Sequence, residues 1–130
     1  MLLLGGCSDG PSADVIEGRQ AAEAALTAGN QAFEAGNFDA ALAELSNAVE
    51  SGFLNADLYS GGAVKLAVVQ AAKGDFAAAD ALLDDLERGA PNMDEVLAAR
   101  SFVLRKLGKR NEAKAAWVEA RRINPAVKEF

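Results

Sequence analysis

The 130 residues are enough for one folded domain that buries roughly two thirds of its unfolded surface. With 51% hydrophobic and 25% charged residues the chain is not disordered, and no unbroken apolar run of about 20 residues is present to form a membrane helix. No histidine and a single cysteine exclude His-based acid–base catalysis, catalytic triads, thiolate zinc sites and intramolecular disulfides.

Alanine fills 29 positions, aromatics reach only 6%, and three prolines leave long uninterrupted stretches, so packed helices are favoured over sheets. The net charge of −6 is unevenly spread: residues 1–99 hold 16 acids and four bases, residues 100–130 nine bases and three acids. That basic end lacks interleaved aromatics for base stacking and sits on an acidic body, so nucleic acid is not an expected partner.

In chain order, Met1-Leu2-Leu3-Leu4-Gly5-Gly6-Cys7 gives way abruptly to the small and polar Ser8-Asp9-Gly10-Pro11-Ser12. Leu4, Gly5, Gly6 and Cys7 resemble the end of a bacterial lipoprotein signal, and the resemblance implies that Cys7 is lipidated. Ser8 stands where, in enteric bacteria, an aspartate retains such proteins in the inner membrane, which implies an outer-membrane anchor facing the periplasm. Fewer apolar residues precede Cys7 than the 7–15 or so of a whole signal, leaving open an unmodified cytosolic thiol. The expected organisation is a signal remnant over residues 1–7, a flexible tether over 8–18 and a folded unit over 19–130.

Within that unit one pattern occurs three times, beginning at Gly36, Gly74 and Gly108. Five residues after each glycine stands Ala41, Ala79 or Ala113; nine after, Leu45, Leu83 or Trp117; twelve after, Ala48, Leu86 or Ala120. Seven before lie the small residues Gly29, Ala67 and Ser101, and Pro91 and Pro125 close the second and third copies. Glycine stops one helix and permits a tight turn, paired small residues let two helices approach, and proline ends the second. Antiparallel helices are therefore expected at 19–35 and 38–51, 56–73 and 76–88, and 93–107 and 110–123. Phe38 and Trp117 are expected in the core, whereas Asp80, Asp84, Asp85 and Glu87 read as a solvated helix surface.

These positions resemble the tetratricopeptide-repeat family over about residues 22–126, with units near 22–55, 56–92 and 93–126. Arg100, Arg110 and Gln70 depart from the family pattern, which prefers an apolar residue at the first and aromatics at the others. The resemblance implies an all-α, right-handed α-solenoid whose first helices line a concave peptide-binding groove. By the same resemblance the groove positions are Leu26, Asn30 and Phe33, then Val64, Val68 and Ala72, then Phe102, Arg105 and Lys106, with Glu23, Glu34, Glu95 and Ala98 beside them. Packing of Leu26 and Phe33 against Val15 and Ile16 is the alternative. Of the family's carboxylate-clamp positions only Asn30 matches, so capture of a terminal carboxylate is not expected.

No calcium-loop spacing and no phosphate-cradling glycine loop occur, so no catalytic residue, metal or cofactor is expected. Seven residues follow Ile123, too few for a capping helix, so the third unit's flank is expected to be open to self-association with the acidic opposite end. The reading that follows is a non-catalytic adaptor for protein or peptide partners, an envelope lipoprotein assisting assembly of a membrane, secretion, pilus or polysaccharide-export complex. A soluble cytosolic chaperone-like or regulatory repeat module is the alternative.

Overall fold

The computed structural model describes residues 10–130 and contains, among them, six α-helices and no strand. They are α1 (Ala13–Glu34), α2 (Phe38–Glu50), α3 (Ala56–Ala72), α4 (Phe76–Glu87), α5 (Met93–Lys106) and α6 (Arg110–Ile123). Helices α2 to α6 start where the repeat pattern places them and end within one residue of it. Cys7 and the lipoprotein-like segment lie outside the described residues.

Helix α1 departs from expectation at its start. It begins at Ala13, six residues early, with the Ser12 hydroxyl accepting the Val15 N–H. Residues 13–18, expected as tether, are therefore helical. Gly18 lets the Phe53 ring lie directly on the helix, since a Cβ there would fall 2.5 Å from that ring.

Three turns share one geometry, and it explains the legible boundaries. Gly36, Gly74 and Gly108 have φ of 72°, 88° and 79°, the left-handed region that a Cβ disfavours. After each, the N–H of Asn37, Asp75 or Lys109 donates back to Ala32, Gln70 or Leu104 at 2.9, 2.8 and 2.9 Å, the Schellman closure of a helix end. The same residue then opens the next helix: the side chains of Asn37 and Asp75 accept from Ala40 and Ala78. Lys109 has no acceptor to offer, so α6 begins without a side-chain cap.

Each helix packs on its neighbour in sequence, and α3 also touches α1 and α5. Ala41, Leu45, Ala48, Ala79, Leu83 and Ala120 are fully enclosed, with Leu86 and Ala113 nearly so. The small residues opposite them permit this closeness. Leu45 fills the space a Gly29 Cβ would need, and Ser101, buried, donates its hydroxyl to the Ala113 carbonyl at 2.8 Å. Surrounded by four helices, α3 buries residues on every side, including Ala63, Val64, Leu66, Val68 and Val69.

Arg100, a departure from the repeat pattern, joins two hairpins. From α5 its guanidinium donates to Asp80, Asp84 and Glu87 of α4 at 2.8, 2.5 and 3.0 Å. Three of the four acids expected to face only water thus hold one cation, while Asp85 pairs with Arg88 at 3.1 Å. Burial pulls the Arg100 pKa down, but the hydrogen bonds and charges of Glu87 and Asp84 outweigh it and hold it above its usual value. The acids are a third to two thirds exposed, which limits their worth through solvent screening. Arg100→Ala is expected to lower the unfolding free energy by about 1–2 kcal/mol, a loss that shrinks in molar salt. Urea titrations at two salt concentrations check this, and a salt-independent loss contradicts the ionic account.

Candidate functional site

The helices α1, α3 and α5 lie side by side, and the residues following α6 turn back across them. Asn124 leaves the helical conformation at φ −139° and ψ 102°, and Pro125 has no N–H with which to continue the ladder. The Asn124 amide donates to Asp94 of α5 at 2.7 Å, while its side-chain oxygen and main-chain carbonyl accept from Ala126 and Val127, each at 3.0 Å. This one residue redirects the chain. Further along, Glu129 pairs with Arg105, and Arg105 also donates to the Phe130 carbonyl at 2.7 Å. The Phe130 ring meets Phe33 of α1 edge to face, with centroids 6.2 Å apart and planes at 80°.

Between this segment and the helices is a hollow of about 390 Å³. Phe33 and Glu34 of α1, Val64 and Lys65 of α3, and Asp94 and Glu95 of α5 form its helical wall. Phe33 is its aromatic centre. Phe38 packs on it at 5.8 Å, and the Lys65 ammonium stands 5.7 Å from its ring centroid while donating to the Asn30 side chain at 3.1 Å. A second hollow, of about 480 Å³, lies on the other side of the Arg105–Glu129 pair, where Arg110, Lys114 and Trp117 line it. Charges there are exposed and basic, in keeping with the uneven distribution along the chain.

Only part of the expected groove is placed here. Phe33 lines the hollow, Asn30 is held beside it by Lys65, and Arg105 binds the returning segment. Phe102 lies near it on α5, with Arg105 and Lys106 at 5.9 and 5.4 Å from its ring. Val64, at 1% exposure, lines the hollow from α3 while almost wholly buried, whereas Leu26 and Val68, at 6% and 2%, are corrections: they belong to the core, Val68 because α3 is enclosed by four helices and Leu26 because it packs from α1 onto α3 at Gly62. Ala98 is buried with them, and Ala72 is exposed but lines neither hollow. Leu26 fills the space beside Gly62, and Phe33 packs on Phe38 and Phe130, so neither uses Val15 or Ile16, which lie turns away on the same helix.

Trp117, expected in the core, is half-buried and lines the second hollow. Its position in the repeat is that of Leu45 and Leu83, but no further helix follows among the described residues to enclose it. Val118 and Ile123 of α6 are exposed at 58% and 48%. The reading of the sequence missed Lys65, Asp94, Asn124 and Phe130. Phe130 carried a signal, as the one aromatic after Pro125.

Among the described residues no cluster of acids or cysteine is arranged to hold a metal ion, and no helix is long and apolar enough to cross a membrane. No protein-family model, curated protein or solved structure matches this chain.

Proposed function

We propose that this chain is a non-catalytic adaptor, a right-handed α-solenoid of three tetratricopeptide-like hairpins whose α1, α3 and α5 layer receives an extended stretch of a partner protein. The observation that carries the reading is that a stretch of main chain, residues 124–130, already lies across that layer. A stretch of polypeptide that turns at residues 124–127 and runs on to Phe130 therefore fits there, with an aromatic contact at one end and charged groups along the rims. The shared turn geometry of Gly36, Gly74 and Gly108 supports the repeat assignment. Lipidation of Cys7 and residence in the bacterial outer membrane, facing the periplasm, rest on the residues around Leu4-Gly5-Gly6-Cys7. Assembly of an envelope complex is the role this placement suits.

Photo-crosslinking side chains at Glu34, at Lys106 and at the exposed Ala43 of α2 test the reading in producing cells. One partner is expected from Glu34 and Lys106 and none from Ala43; equal capture at all three removes the groove as the binding face. In the same cells labelled palmitate is expected on the wild type and not on Cys7→Ser, and an unlabelled wild type removes the anchor.

A further inference from the structure

The segment after α6 shows which side chains the groove accepts. Its grip rests on few groups: Asn124 on Asp94, Glu129 and the Phe130 carbonyl on Arg105, and the Phe130 ring on Phe33. The Arg105 and Glu129 side chains are 38% and 53% exposed, and Pro125, Ala126 and Lys128 lie open to solvent. An ion pair so exposed adds little, and a segment with so few enclosed contacts is drawn from the least stable part of a fold. Phe130 rests on the outside of the core and is only partly enclosed, and Phe33, Asp94 and Arg105, which hold the segment, are likewise not fully buried.

The complementarity is nevertheless specific. Arg105 presents a fork that takes a carboxylate and, one residue later, a main-chain oxygen. Phe33 then offers a ring face to the aromatic side chain of that later residue, and Lys65 supplies positive charge on the same aromatic pair. Spacing between these two anchors admits an acidic residue directly followed by an aromatic one.

We infer that this face binds in trans an extended peptide carrying an acidic residue immediately before an aromatic one, and that Pro125–Phe130 is its competing occupant in cis. The inference rests on the groove reading above and names the ligand of that groove. Tethered through α6, the segment acts at an effective concentration of order millimolar, so an incoming peptide must displace it. Affinity is then lowered by the fraction of molecules whose groove is free.

The test titrates a fluorescent hexapeptide of the sequence Pro-Ala-Val-Lys-Glu-Phe, amidated, into the full chain and into the double variant Glu129→Ala, Phe130→Ala. Binding at least tenfold tighter to the double variant is expected, falling back at least tenfold when Arg105→Ala is added. A peptide with Gln for Glu and Ala for Phe is expected not to bind the double variant. Circular dichroism melting of each variant confirms that the helices persist. In the unsubstituted chain, excess peptide is expected to shift the Phe130 resonances toward those of a free segment, which keeps the test informative should a variant unfold. Equal affinity for wild type and double variant, indifference to Arg105→Ala, or a wild-type dimer that exchanges the segment between two copies would each overturn the inference. Repeating the Glu34 crosslink in the double variant separates the two readings: a partner captured equally with and without Glu129 and Phe130 overturns the competition and leaves the adaptor standing.

Discussion

Leu83→Ala is expected to lower the unfolding free energy by about 2–5 kcal/mol, and Trp117→Ala by only about 1–2 kcal/mol, although both occupy one position of the repeat. Leu83 is fully enclosed between α3 and α5, so removing its branched end leaves a cavity that rigid helix axes cannot close. Trp117 is larger yet only partly buried, with one face toward the basic hollow, so truncation there opens a surface notch that water can fill instead of an enclosed cavity. Urea unfolding with a shared m-value checks the pair. Equal losses contradict the unequal burial of the second and third hairpins.

Glycine-to-alanine changes in two neighbouring helices are expected to have opposite signs. Alanine stabilises an unobstructed helix interior by about 0.5–1 kcal/mol relative to glycine. At Gly61 in α3 a Cβ meets nothing within 4 Å, so Gly61→Ala is expected to gain that amount. At Gly29 in α1 the same atom falls 2.7 Å from the branched end of Leu45 and 3.0 Å from its backbone nitrogen. The backbone contact cannot swing aside, so α1 and α2 must separate, and Gly29→Ala is expected to lose about 1–3 kcal/mol despite its better propensity. Thermal unfolding of the two variants beside the wild type decides it. A stabilised Gly29→Ala would show that these helices do not meet as closely as the structure has them.

Much of the helix layout was readable because it depends on neighbours in sequence. A glycine in the left-handed region, followed at once by Asn37 or Asp75 as cap, marks a turn wherever it occurs. Ser12 carried the same kind of mark for α1. It was obscured by the loop-like Gly10-Pro11 before it and by Gly18, whose missing side chain serves a contact with Phe53, 35 residues away.

The candidate site was less readable. The family resemblance put Leu26 and Val68 on the groove face, yet whether a first-helix position meets solvent depends on what packs over it: four helices surround α3, and Leu26 of α1 is pressed onto Gly62 of α3. Phe33 and Arg105, named by the same resemblance, each have a side open to the returning segment. Arg100 looked like a defect in the pattern until Asp80, Asp84 and Glu87 came within reach of it across the hairpin boundary.

The all-helical class, the turns between the six helices, and the small and large positions where paired helices touch could be read along the chain, since all of these follow from backbone preferences and short-range spacing. Which apolar residues are enclosed, which acids meet Arg100, and that residues 124–130 lie against Phe33 and Arg105 emerged with the packing of the helices. Those outcomes arise from contacts between residues tens of positions apart, where local preference carries no information about which neighbour will arrive.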